Sequence, residues 1–133
     1  MKVDGRCHCG RITYEAEIDP NAVNVCHCTD CQTLTGTVFR AAVQAPAATF
    51  ALKGEPKIYV KTADSGNKRA HAFCPDCGTP IYAAALQDPP TYSLRVGGLR
   101  QRAQLGPPRF QIWCDSAVPW SMNIEEVPKR PKG

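Results

Sequence analysis

Seven of the eight cysteines in this chain lie in three short clusters, and their spacing limits what the chain can fold into more than any other feature. The clusters are Cys7-His8-Cys9, Cys26-His27-Cys28-Thr29-Asp30-Cys31 and Cys74-Pro75-Asp76-Cys77, whereas Cys114 stands alone. A structural zinc takes four thiolates, but a zinc that stays open to water or substrate takes three protein ligands. Seven clustered cysteines therefore predict one closed and one open zinc site.

Disulfide bonds and dithiol redox chemistry are the two competing uses of such cysteines. Residues 1–6 contain no apolar segment typical of a signal peptide, so we expect a cytoplasmic, reducing location where disulfides do not persist. A redox C-x-x-C motif lies near a strand-helix unit, yet Gly78 and Pro80 closely follow Cys77 and disfavour a helix there. A glycine after the second cysteine instead suits a zinc knuckle, whose backbone turns through positive φ. We interpret the clusters as metal ligands.

Length and charge exclude several classes of protein. The 133 residues suit one domain, which we place at residues 1–127 with a frayed tail at residues 128–133. The longest apolar run, residues 83–86, is too short to span a membrane. The formal charge is +4, and seven thiolates around two zinc ions reduce it to about +1. We therefore expect neither a membrane nor a nucleic-acid partner.

Alternation and turn residues predict a mainly β fold. In residues 11–18, Ile12, Tyr14, Ala16 and Ile18 share one face, as in a half-buried strand. Eight further strands are predicted at residues 23–26, 37–43, 49–52, 57–61, 69–73, 81–86, 92–96 and 109–113, and a single helical turn at residues 30–35. Nine short antiparallel strands indicate a β-sandwich or barrel with zinc knuckles.

The spacing leaves two ways to divide the cysteines between the sites. In the first, Cys7, Cys9, Cys74 and Cys77 form the closed site, and the C-x-C-x-x-C cluster of Cys26, Cys28 and Cys31 forms the open one. In the second, Cys28 and Cys31 join Cys74 and Cys77, which leaves Cys7, Cys9 and Cys26 to form the open site. We favour the first division because the central cluster supplies three ligands from six consecutive residues.

Other side chains give weaker signals. Arg95, Arg100, Arg102 and Arg109 lie in a stretch without acidic residues and would suit an anionic ligand, although arginines on strands and loops are more often surface residues. We expect His8 and His27 to point away from the metals, and His71 to be a packing residue. Cys114, beside Trp113, is predicted to be a small buried residue rather than a ligand.

The three clusters and their flanks closely resemble the glutathione-dependent formaldehyde-activating enzyme family, which also includes centromere protein V. The resemblance rests on Cys7-His8-Cys9-Gly10, on the run from Cys26 to Gly36, on the run from Phe73 to Tyr82 and on Val118-Pro119-Trp120. It implies a fold similar to the Mss4-like zinc domains and two zinc ions per chain. By this resemblance Cys7, Cys9, Cys74 and Cys77 hold a structural zinc, and Cys26, Cys28 and Cys31 hold a catalytic zinc.

The resemblance also implies a carbon-sulfur lyase, which joins formaldehyde to the glutathione thiol to give S-hydroxymethylglutathione, or releases it. Three thiolates make zinc a weak activator of water but a good partner for a fourth sulfur. A small thiol, such as glutathione, and an aldehyde are therefore the expected substrates. The alternative function is a zinc-binding module without catalytic activity.

Overall fold

The computed structural model covers residues 1–133, and its fold is mainly β. The ten strands are β1 (Lys2–Arg6), β2 (Thr13–Glu17), β3 (Asn24–Cys26), β4 (Arg40–Pro46), β5 (Ala51–Lys53), β6 (Lys57–Thr62), β7 (Lys68–Phe73), β8 (Pro80–Ala85), β9 (Thr91–Arg95) and β10 (Phe110–Ile112). One short α-helix, α1 (Thr29–Thr35), follows β3. The remaining helical segments are 3-10 turns at Ala47–Thr49, Val96–Gly98, Arg102–Gln104, Cys114–Ser116, Pro119–Met122 and Ile124–Glu126.

The strands form two sheets that enclose the core between them. The small sheet has the order β1-β2-β5, and the large sheet has the order β10-β3-β4-β9-β8-β7-β6. The main apolar cluster combines Val3, Tyr14 and Ala16 of the small sheet with Val43 and Leu94 of the large sheet. The predicted sandwich-like, mainly β architecture is thus confirmed, but no barrel closes.

Nine of the ten strands and the helix coincide with predicted segments, with boundaries displaced by a few residues. The strand that the prediction missed is β1, in which Val3 is the only large apolar residue and Gly5 weakens the strand pattern. β1 pairs antiparallel with β2 along its whole length. The expectation of purely antiparallel pairing is also wrong at one edge, because β10 runs parallel to β3. That geometry depends on the long connection that precedes β10, which local patterns do not encode.

No helix of the protein combines the length and the apolar character that crossing a membrane requires.

Candidate metal centres and adjoining cavities

The structure brings Cys7, Cys9, Cys74 and Cys77 together where the two sheets meet. Their sulfur atoms all lie within 4.8 Å of one another. The Sγ atom of Cys9 lies 3.6 Å from that of Cys7 and 3.8 Å from that of Cys74. A zinc tetrahedron with Zn–S bonds of about 2.3 Å requires sulfurs about 3.8 Å apart. The four sulfurs therefore fit a closed zinc site, and this site would tie the end of β1 to the end of β7.

Two glycines shape the turns that carry these ligands. Gly10 has a φ of +83° and Gly78 a φ of +74°, a region that other residues rarely adopt. The Gly10 N–H donates to the carbonyl of Cys7 at 3.1 Å, and the Gly78 N–H donates to that of Cys74 at 2.9 Å. Both turns therefore have the knuckle form predicted from the glycine that follows the second cysteine.

Thr79 joins the two knuckles. Its Oγ1 atom accepts a hydrogen bond from the His8 N–H at 3.0 Å and lies 3.2 Å from the Sγ atom of Cys77. The Thr79 hydroxyl, followed by the N–H groups of Cys9 and Thr79, lowers the pKa of Cys77 to about 5. This sulfur is therefore ready to act as a thiolate ligand at neutral pH.

Cys26, Cys28 and Cys31 form a second cluster around the start of α1, which we call the trio. Their sulfurs also lie within 4.8 Å of one another. Cys26 ends β3, Cys28 is the N-cap of α1 and Cys31 lies in its first turn. The Cys31 N–H donates to the Sγ atom of Cys28 at 3.3 Å, which fixes the cap. The structure thus contains the first of the two divisions of the cysteines.

Without a metal, the three thiols differ in how readily they lose a proton. Burial, and then hydrogen bonds with Cys28 and Cys26, raises the pKa of Cys31 to about 12. Burial also acts to raise the pKa of Cys28, but hydrogen bonds from the Cys31 N–H and the two neighbouring thiols outweigh it and lower that pKa. Cys28 is therefore the first of the three to become a thiolate.

His27 lies between two of these cysteines but is not part of the sulfur cluster. Its side chain is buried, and its Nε2 atom lies 2.7 Å from Oε1 of Gln111 on β10. The Nε2 atom of Gln32 donates to the carbonyls of His27 at 2.7 Å and of Ser116 at 3.0 Å. β10 and the 3-10 turn after it thus contact the segment from Cys26 to Gln32 and hold it in position. Neither His8 nor His27 belongs to either cysteine cluster.

The predicted arginine group divides into residues with different surroundings. Arg95 is buried, and Arg102 joins it in lining a cavity of about 710 Å³. Arg100 instead pairs with Asp4, its Nε lying 3.0 Å from Oδ2. Arg109 is exposed and does not line this cavity. Sequence reasoning missed Arg40, which is also buried and lines the same cavity. Its only sequence signal was its position in a predicted strand.

A smaller cavity of about 290 Å³ adjoins the first and shares Arg40, Pro80 and Arg95 with it. His71 lines this second cavity, and its Nδ1 atom lies 3.4 Å from Nη2 of Arg95. His71 is therefore partly buried beside a cavity rather than packed inside the core.

A third cavity of about 510 Å³ is lined by Cys28 of the trio. Asp30 and Lys61 also line it, and Lys61 Nζ lies 2.5 Å from Oδ2 of Asp30. The predicted burial of Cys114 is wrong, because this cysteine is exposed. It lies in a surface 3-10 turn, where the adjacent Trp113 is exposed as well.

The protein belongs to the glutathione-dependent formaldehyde-activating enzyme family, whose model matches residues 2–116. Among solved structures, a crystal structure of a Rhodobacter sphaeroides protein matches with a TM-score of 0.62 at 21% sequence identity, covering 81% of this chain and 98% of that chain. At that identity the likeness shows a shared fold alone. No curated protein matches the sequence.

Proposed function

We propose that this protein is a zinc-dependent carbon-sulfur lyase, which joins a small aldehyde to a thiol such as glutathione or releases the two. In this proposal Cys7, Cys9, Cys74 and Cys77 hold a structural zinc, and Cys26, Cys28 and Cys31 hold the catalytic zinc. The observation that carries it is the three-sulfur cluster beside a cavity, in a chain that also has a complete four-sulfur cluster. Family membership supports the reaction class.

The surroundings of the trio favour an open coordination position. No histidine, aspartate, glutamate or further cysteine joins the three sulfurs as a fourth ligand. Asp30 lines the cavity beside Cys28, but its carboxylate is engaged by Lys61. A tetrahedral metal on the trio therefore lacks one protein ligand, and the adjoining cavity offers an approach for an external one.

Cys26, Cys28 and Cys31 would hold the zinc, which would supply an affinity for thiolates and so lower the pKa of the substrate thiol from about 8.5. The sulfur lone pair forms the new C–S bond at the aldehyde carbon, and the C=O π electrons move to oxygen. The proton that the thiol lost returns to that oxygen through solvent, so thiol and aldehyde give a hemithioacetal without a redox change, and formaldehyde gives the S-hydroxymethyl adduct. The protein supplies proximity and a positive neighbour, because the charge of Arg40 acts on all three sulfurs.

Cobalt substitution tests the proposal at the metal. With cobalt in both sites, glutathione should shift the ligand-field and charge-transfer bands of one site toward a four-sulfur pattern and leave the other unchanged. Cys31→Ala should abolish this response, whereas Cys114→Ala, which changes an exposed cysteine outside both clusters, should not. Native mass spectrometry should count two metals in the wild type, and carbon-13 NMR should detect the adduct of formaldehyde.

Unchanged cobalt spectra with saturating glutathione and other small thiols would overturn the lyase proposal. The zinc-binding module without catalytic activity would then be the better account.

A further inference from the structure

Trp113 combines an exposed indole with a backbone conformation that tryptophan rarely adopts. It is 65% exposed, the highest fraction among the exposed large apolar residues of the protein. Its φ of +58° and ψ of +39° lie in the left-handed region, and Asp88 is the one other non-glycine residue with a positive φ. Aspartate enters this region comparatively often, whereas a bulky residue there is an outlier. Such outliers cluster at functional sites, so Trp113 is a candidate for a functional role.

Contacts on both sides of Trp113 hold it in this conformation. The His27 N–H donates to the carbonyl of Ile112 at 3.0 Å, and Nε2 of Gln32 donates to the carbonyl of Ser116 at 3.0 Å. The Ser116 N–H in turn donates to the carbonyl of Trp113 at 3.1 Å, which closes the 3-10 turn. A strained conformation persists only where its surroundings fix it. Here the fixing contacts come from the segment that carries the trio.

The indole of Trp113 lines the cavity of about 510 Å³ that Cys28 of the trio also lines. Apart from Ala63, the other lining residues are polar, and Asp30 and Lys61 among them form an ion pair. A ligand in this cavity therefore finds a large apolar surface on one side only, at the indole. A flat apolar group suits such a wall better than a bulky one, because it covers the indole face and leaves the polar side chains hydrated.

We propose that Trp113 is a specificity-determining residue, whose indole stacks on an aromatic or other flat apolar group that the thiol substrate carries close to its sulfur. Aromatic rings attract one another in stacked or edge-to-face contacts, and they do so beyond the effect of the area that they bury. A sulfur bound at the open position of the trio would place its nearest carbon atoms in the cavity beside Cys28. The substrate class rests on the proposed function, whereas the apolar subsite rests on Trp113 and the cavity alone.

The first test compares two thiols that lack a carboxylate, of which only one carries an aromatic ring. Cobalt-loaded protein is titrated with benzyl mercaptan and with 2-mercaptoethanol, and the charge-transfer bands report the affinity. Trp113→Ala should weaken the binding of benzyl mercaptan about tenfold, the scale of one aromatic contact, and leave that of 2-mercaptoethanol unchanged. Trp113→Phe keeps an aromatic ring and should retain most of the affinity. Trp120→Ala is the matched control, because this tryptophan is also exposed but lies outside the cavity.

The second test needs neither a thiol nor a spectrum of the metal. The chain contains two tryptophans, so Trp120→Phe leaves Trp113 as its only indole. Benzyl alcohol, which has no sulfur, should change the fluorescence of Trp113 in this zinc-loaded variant. Trp113→Phe retains only the indole of Trp120, and its fluorescence should not respond.

Equal affinities of the wild type and Trp113→Ala for benzyl mercaptan would overturn the inference, as would an equal loss of affinity in Trp120→Ala. If Trp113→Ala fails to fold, the fluorescence of the Trp120→Phe protein decides, and a lack of response to benzyl alcohol rejects the subsite. A fluorescence response together with cobalt spectra that respond to no thiol would keep the apolar subsite and reject the lyase. Cobalt spectra that respond alike in the wild type and Trp113→Ala would do the reverse.

Discussion

Nε2 of His27 lies 2.7 Å from Oε1 of Gln111, and this contact links the trio loop to the edge strand β10. A glutamine oxygen only accepts hydrogen bonds, so Nε2 of His27 carries the proton. His27 is 1% exposed and separates Cys26 from Cys28 in the chain. The parallel pairing of β10 with β3 is therefore a means of holding two of the three sulfurs in place.

Gln111→Leu should weaken metal binding at the trio. It leaves the buried His27 N–H without an acceptor, which costs about 1–3 kcal/mol of unfolding free energy. Because His27 separates Cys26 from Cys28 in the chain, loosening its contact with Gln111 should displace these two sulfurs and lower the metal affinity of the cluster. Competition with a chromophoric chelator measures the affinity, and urea unfolding measures the stability.

Gln87→Leu is the matched control, because Gln87 is exposed and makes no side-chain hydrogen bond to the rest of the protein. Gln111→Glu keeps an acceptor and should retain most of the affinity. If Gln111→Leu bound zinc as tightly as Gln87→Leu does, the contact would have no role in the metal site.

Cys74→Ser should unfold or severely destabilise the protein, whereas Cys28→Ser should leave it folded and lose one metal. Structural zinc contributes roughly 10 kcal/mol to the folding of small metal-dependent domains. The four-sulfur cluster joins Cys9 to Cys74, which lie 65 positions apart, whereas the trio spans one short loop. Thermal unfolding followed by circular dichroism, together with native mass spectrometry, gives both readouts. Equal losses of thermal stability would contradict the division into structural and open sites.

Gly5→Ala should destabilise the pairing of β1 with β2. A Cβ atom on Gly5 would lie 2.2 Å from Cζ of Tyr14, the residue directly opposite, so the buried ring would have to move. Overpacking of this kind costs about 1–3 kcal/mol. Gly97→Ala places its Cβ in open space and should change the unfolding free energy by less than about 0.5 kcal/mol. Urea denaturation of the two variants should therefore separate them, and similar midpoints would contradict the expectation.

His71 should make stability depend on pH below neutrality. Burial, and then the neighbouring basic side chains, lowers the pKa of His71 from 6.5 to about 4. These side chains are Arg95, Arg40, Lys61 and Arg69, and the ring of Tyr59 faces the imidazole from β6. Because the unfolded chain takes up the proton first, this stability is present above about pH 6.5 and is lost as the pH falls toward about 4.

His71→Gln removes this term, so the unfolding free energy of the variant should fall less than that of the wild type between about pH 7 and about pH 5. Urea unfolding at the two pH values measures the difference. Losses from protonation of the cysteine clusters are common to both proteins and cancel in the comparison. Parallel pH dependence in the two proteins would contradict the prediction.

Much of the site could be predicted from the sequence because its ligands are local. Each cluster lies within six consecutive residues or fewer, so the spacing alone brings its sulfurs near one another. The knuckle glycines are equally local, since the positive φ of Gly78 belongs to a single tight turn. Alternation of buried and exposed residues likewise identified β2, in which Tyr14 and Ala16 are buried.

Only the tertiary structure decided which cysteine clusters lie together and what surrounds them. Cys9 meets Cys74 because β1 belongs to the small sheet and β7 to the large sheet, and this packing brings their ends together. Arg40 faces Cys26 because of the register between β3 and β4, and a shift of one residue would turn it to the other face. The alternation of apolar and polar residues along a strand shows which of them share a face. The strand's partner and register follow instead from the packing of the whole core. The cysteines could therefore be recognised as candidate metal ligands from the sequence. That Arg40 and Arg95 are buried beside them could be learned only from the tertiary structure.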